Sequence, residues 1–87
     1  MVKRAWTSAM SNKINKALQS FATEYAKARR KFPRDLSSAH EGYAVILEEL
    51  DESWDEIKRD RIDLACQEMI QVGAMALRFL VELGGEE

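Results

Sequence analysis

The segment from Arg61 to Leu83, RIDLACQEMIQVGAMALRFLVEL, is apolar on nearly every side and is followed by Gly84-Gly85. A helix that is apolar all round is buried all round, and glycine just past its end is a usual stop. One narrow polar stripe survives on it: Arg61, Glu68, Gln71, Arg78 and Glu82, with Glu68 and Gln71 three residues apart and therefore on one face. The remaining residues supply one long helix and one acidic helix, too little to surround such a segment. Self-association is therefore expected, with this helix at the centre of a bundle built from two or more chains.

Working back from Arg61, the polar run Lys58-Arg59-Asp60-Arg61 marks a junction. Before it, Ser38 followed three residues later by Glu41 fits a capping box, so a second helix is predicted to start near Ala39. At 100° per residue, Tyr43, Ile46, Leu47, Leu50, Trp54 and Ile57 share one side of that helix, and Glu41, Glu48, Glu49, Glu52, Asp55 and Glu56 gather away from it. A connection at Phe32–Ser37, containing the stop Pro33, separates this helix from a first one over about Thr7 to Phe32. There Met10, Ile14, Ala17, Leu18, Phe21, Tyr25 and Ala28 recur at steps of three and four. The short connection predicts that the first two helices are antiparallel neighbours.

The chain's 87 residues bound the answer to a single domain, 1–87, and one Pro with four Gly leaves little room for sheet. An all-α fold of three main helices is the expectation. The 46% hydrophobic and 32% charged residues suit a soluble helical protein. The amino terminus, Met1-Val2-Lys3-Arg4-Ala5-Trp6, lacks a leader-like apolar core, and no stretch reads as the roughly 18 to 20 apolar residues of a membrane span. A cytoplasmic protein without membrane contact is expected. Cys66 is the only cysteine, which excludes an intrachain disulfide and a cysteine-cluster zinc site and reads as a packed thiol.

Charge is divided along the chain. Residues 1–40 carry nine Lys or Arg against two Asp or Glu, and residues 41–87 four against thirteen. The cluster Lys27, Arg29, Arg30 and Lys31 suits the negative end of the first helix dipole, or it attracts phosphate. No aromatic or glycine-rich motif accompanies it, which argues against nucleic acid as the partner. His40 has no second histidine or cysteine to share a metal and reads as a surface or packing residue. Tyr43 and Trp54 lie on the apolar stripe and read as core.

The carboxylates are the part of the chain that reads as chemistry. Like charges three apart, such as Glu49 and Glu52, oppose helix formation. By themselves they describe a solvated face. Glu68, set among Leu64, Ala65, Met69, Val72 and Met75, is different: a carboxylate in apolar surroundings needs a partner, either Arg61 or Arg78 from a neighbouring helix or a cation. Acidic residues on two successive helices converging in a bundle core can share a hard cation, and Mg²⁺ takes oxygen ligands. Metal binding is therefore the favoured reading.

Glu48-Glu49-Leu50-Asp51-Glu52, followed after fifteen residues by Glu68-Met69-Ile70-Gln71, resembles the EExxE and ExxD pair of the MazG-like all-α nucleoside triphosphate pyrophosphohydrolases. The phrases Ser38-Ala39-His40-Glu41-Gly42 and Gln71–Leu80 look like a small phage or prophage subgroup of that family, and the resemblance covers about residues 8 to 83. It implies Mg²⁺-dependent hydrolysis of a nucleoside triphosphate to the monophosphate and pyrophosphate, with Mn²⁺ as a possible substitute, in a homodimer or a dimer of dimers. Glu49, Glu52, Glu68 and Gln71 fall at the metal-ligand positions, and Glu48 at the preceding carboxylate, implied to orient a ligand or accept a proton from water. Lys or Arg from the basic half completes the charge balance. Gln71 stands where the family pattern has Asp; the loss of one charge weakens a Mg²⁺ site. A catalytically degenerate bundle that binds a nucleotide or a protein is the alternative.

Overall fold

The computed structural model describes residues 6 to 85, and among them it contains three α-helices and no strand. Helix α1 spans Ser8–Lys31, α2 Ala39–Lys58 and α3 Ile62–Leu83, close to the bounds that periodicity and capping predict. The amino-terminal Met1–Ala5 segment, expected to carry no leader, lies outside the described residues.

The starts of α1 and α2 have a local cause. Thr7 Oγ1 accepts the Met10 N–H at 3.1 Å, and Ser38 Oγ accepts the Glu41 N–H at 3.1 Å. The Glu41 half of the capping box reaches one residue further back than predicted. Its carboxylate accepts the Ser37 N–H at 2.7 Å and the Ser37 hydroxyl at 2.9 Å. Between α2 and α3 the chain reverses through Asp60, whose φ of 60° lies in the left-handed region that Asp tolerates better than most residues. Arg61 Nε, donating to Glu56 Oε1 at 2.7 Å, ties that turn to the last coil of α2.

Both α1 and α2 pack on α3 and make no close backbone approach to each other. This corrects the expectation that α1 and α2 are antiparallel neighbours. The connection does not fold them together because Leu36, in its middle, is buried against α3, with its N–H held by Glu82 Oε1 at 2.7 Å. Two glycines permit the close packing. A Cβ on Gly42 of α2 would stand 2.5 Å from the Phe79 ring of α3, and one on Gly73 of α3 would collide with the Phe21 ring of α1.

The centre of this arrangement is an ionic knot. Arg78 and Glu82, one turn apart on α3, have side chains only 8% and 2% exposed and pair at 3.1 Å. Glu82 also accepts the Tyr25 hydroxyl at 2.7 Å and Arg29 Nη1 at 3.0 Å from α1, while Arg78 Nη2 donates to the Arg34 carbonyl at 3.3 Å. One carboxylate thus joins α1, the connection and α3.

The result is a slab of 41 × 39 × 23 Å with a radius of gyration of 14.8 Å, against about 12 Å for a compact chain of this length. Its accessible surface of 6733 Å² likewise exceeds the roughly 5,200 Å² of a compact 10 kDa monomer. Tyr43 and Trp54, expected in the core, are 65% and 55% exposed, and Leu47, Leu50 and Ile57 on the same stripe are exposed as well. The reason is that α2 turns Gly42 and Ser53, with Glu49 and Glu56 beside them, toward α3 and leaves its apolar stripe on the slab surface. Cys66 is exposed, not packed. Helix α3 is long and apolar enough, by length and composition, to cross a membrane, contrary to the expectation that no stretch reaches that measure; here it carries α1 and α2 along its flanks.

Burial by itself would push the Glu82 carboxyl up, but the hydrogen bonds from Tyr25, the Leu36 N–H and Arg78, with the Arg78 charge, hold it below the usual carboxylate range. Its contribution to stability is therefore present above the unfolded value near pH 4.3 and is lost as pH falls through the lower folded value. Glu82→Ala is expected to lose about 3 to 5 kcal/mol in denaturant unfolding at neutral pH, because it leaves Arg78 buried and unpaired. Glu82→Gln is expected to flatten the fall of stability on acidification, read as unfolding midpoints between about pH 5 and pH 3.

Candidate metal centre

Three carboxylates meet where α2 and α3 face each other. Glu49 and Glu52, neighbours at i and i+3 on α2, and Glu68, from the second turn of α3, each bring an oxygen to within 4.8 Å of the others. The antiparallel α2–α3 hairpin does this, since Glu56 is tied to Arg61 across the turn and the next turns of each helix must then lie opposite. Glu49 and Glu68 are partly buried and Glu52 is exposed, so the group opens to solvent on one side.

Ordinary charge compensation is missing here. Arg61 pairs with Glu56 at 2.7 Å and Arg78 with Glu82 at 3.1 Å, so neither candidate partner of Glu68 is spent on it. Among the described residues no Lys, Arg or His forms an ion pair with Glu49, Glu52 or Glu68. Burial first, then the charges of Glu52, Glu68 and Glu48, pushes the Glu49 carboxyl up. Glu68 is pushed up by burial and then by Glu52, whose charge and hydrogen-bonding contact both favour the protonated form, and by Glu56. The cluster resists ionisation as it stands.

Those groups fit a hard divalent cation. Oxygens at about 2.1 Å around Mg²⁺ lie about 3 Å apart when adjacent and about 4.2 Å when opposite, so a spread of 4.8 Å closes onto the ion by side-chain adjustment alone. Three negative charges exceed the ion's two, and the exposed Glu52 side leaves positions for water or phosphate oxygens.

The other sequence candidates take different places. Glu48 is exposed and acts on the group through its charge on Glu49. Gln71 is partly buried one turn beyond Glu68, and its amide donates to Glu24 Oε1 of α1 at 2.9 Å. That bond, followed by Lys27, holds the Glu24 carboxyl below the usual range. His40 is exposed in the first turn of α2. Of the basic cluster, Lys27 pairs with Glu24 at 3.1 Å and Arg29 with Asp35 and Glu82 at 2.8 and 3.0 Å.

Two residues near the group were not singled out from sequence. Glu24 stands alone among lysines and alanines in α1, and only the packing of α1 on α3 brings it to Gln71. Ser53 is fully buried on α2 and its hydroxyl has no hydrogen-bond partner. A serine four residues after Glu49 shares its helical face, which is the signal the sequence carries.

Comparison of the chain with protein families, with curated proteins and with solved structures finds no match.

Mg²⁺ or Mn²⁺ is expected to raise the thermal midpoint at neutral pH, by about 1.4 kcal/mol of stability at ten times its dissociation constant. Glu68→Gln should be more stable than the parent in EDTA, because it removes one of three crowded charges, and should no longer respond to the ion. A midpoint indifferent to millimolar Mg²⁺ and Mn²⁺ would remove the metal reading.

Proposed function

We propose that the chain is a MazG-like, Mg²⁺-dependent nucleotide pyrophosphohydrolase that converts a nucleoside triphosphate to the monophosphate and pyrophosphate. The observation that carries this reading is the convergence of Glu49, Glu52 and Glu68 within 4.8 Å, from the two helices that bear the EExxE-like and ExxD-like segments, without a basic partner. In this scheme the three carboxylates hold the ion, and Glu48, exposed beside them, orients a ligand or accepts a proton from water. Bound Mg²⁺ supplies charge neutralisation for triphosphate oxygens and a lowered pKa for coordinated water.

A second reading, a catalytically silent bundle that binds a nucleotide or a protein, draws its support from Gln71. The residue at the ExxD position brings no charge, and its amide nitrogen is turned to Glu24 of α1. Pyrophosphate release from a panel of common, deoxy and modified triphosphates decides between the two. Release that Glu52→Ala abolishes is the expected outcome, and no release from any of them rejects the enzyme reading. Gln71→Asp sharpens the result: a gain of metal affinity and turnover marks a weakened enzyme, whereas loss of an existing activity shows that the Gln71–Glu24 contact serves it.

The proposed enzyme is a homodimer or a dimer of dimers. The support is the exposed stripe Tyr43, Leu47, Leu50, Trp54 and Ile57, with Lys58 over the Trp54 ring near its end, which is continuous with the exposed Leu80 of α3 through Ile46, Ala76 and Phe79. A standard interface takes about 800 Å² from each partner, and an apolar stripe flanked by charge matches the apolar centre and polar rim of such a surface. Sedimentation at micromolar concentration is expected to give an oligomer that Leu50→Glu with Trp54→Glu dissociates; a monomeric parent protein would overturn the proposal.

A further inference from the structure

At the end of the slab away from the α2–α3 turn, the chain leaving α1 encloses a cleft of about 460 Å³ against the first turns of α2 and the last turns of α3. That volume is in the range of small-molecule sites. Phe32, Pro33 and Val45 line it with apolar surface, and Phe32 is 53% exposed there. Lys31, Arg34 and Arg78 bring positive charge to it from three separate segments.

These cations differ in what they have left to give. Arg78 is oriented by Glu82 and by the Arg34 carbonyl through Nε and Nη2; its Nη1 makes no hydrogen bond among the described residues and is not sealed from solvent. Arg34 is 69% exposed, and its longest contact, 3.4 Å to Glu41, is weak. Glu41, the one acidic residue of the lining, is already engaged by the Ser37 N–H and hydroxyl. Lys31 lies 5.5 Å from the centre of the Phe32 ring and has no carboxylate partner among the described residues. Positive charge therefore remains in excess around an apolar wall, with one guanidinium held in place before any ligand arrives.

We propose that this cleft binds a small aromatic phosphate, its ring against Phe32, Pro33 and Val45 and its phosphate between Lys31, Arg34 and Arg78. Donors from three directions suit a tetrahedral dianion, and a charge-assisted bond to guanidinium is among the stronger polar contacts available. The site is separate from the carboxylate group: Glu41 and Glu49 lie about 12 Å apart along α2, and Arg78 and Glu68 about 15 Å apart along α3, at 1.5 Å rise per residue. It needs no metal.

The test is titration of the whole chain with phenyl phosphate in EDTA, followed by calorimetry or by NMR shifts. Saturable binding is expected, weakened roughly tenfold by Arg34→Ala and by Lys31→Ala and unchanged by Glu52→Ala. Arg30→Ala removes an equal charge from the same stretch outside the lining. If it weakens binding as much as Arg34→Ala, the attraction is diffuse and the cleft is not the site. Inorganic phosphate binding as tightly as phenyl phosphate would overturn the apolar half of the site, and the absence of saturation, or sensitivity to Glu52→Ala alone, would overturn the whole. Lys31, Arg30 and Arg34 are all exposed, so the variants keep the fold, which an unchanged thermal midpoint verifies.

Discussion

Glu82 is the point at which α1, the connection after it and α3 are joined. A carboxylate with 2% of its side chain exposed is tolerable only when every lone pair is used, and Tyr25, Arg29, the Leu36 N–H and Arg78 use them. Because these donors come from α1, from the connection and from α3, satisfying one charge sets the position of all three. The path of Leu36 over the end of α3 follows from it, and so does the separation of α1 from α2. Gly42 and Gly73 then let the helix backbones approach closely enough for Phe79 and Phe21 to cover them.

The same helix carries a second, partly buried carboxylate under the opposite regime. Glu68 lies fourteen residues before Glu82 on nearly the same face, yet it meets Glu49 and Glu52 where Glu82 meets cations. One end of the polar stripe is neutral and closed; the other is acidic and open on the Glu52 side. Crowded carboxylates raise one another's pKa, which a fold that only needed packing would avoid by placing Leu or Ala there. A divalent ion bound there would turn the repulsion into coordination. The acidic end is open and without a basic partner, and the closed end is the frame that holds it.

The slab shape follows from which face of α2 was used. An amphipathic helix ordinarily buries its apolar stripe. In α2 the side toward α3 is made of Gly42, Val45, Glu49, Ser53 and Glu56, narrow enough to bring the carboxylates together, and the stripe from Tyr43 to Ile57 is left outside. Burying that stripe within one chain would need a further layer, which 87 residues do not supply.

Helix number, bounds and caps were legible in the sequence, because Thr7, Ser38, Pro33 and the period of the apolar residues act within a few residues of themselves. So was the acidic group, since Glu49 and Glu52 share a face by spacing alone and Glu68 was conspicuous in an apolar helix. Arg78 and Glu82 stood in the polar stripe, but their pairing, their burial and their other partners were not legible there. Only the tertiary structure decided that Arg61 and Arg78 are occupied elsewhere, that Gln71 turns to Glu24, that Tyr43 and Trp54 are outside, and that α3 separates its neighbours. Each of these depends on which side of a helix meets another helix. Periodicity defines the sides, and the choice among them is made by long-range contacts such as Leu36 with Glu82, which join residues 46 positions apart.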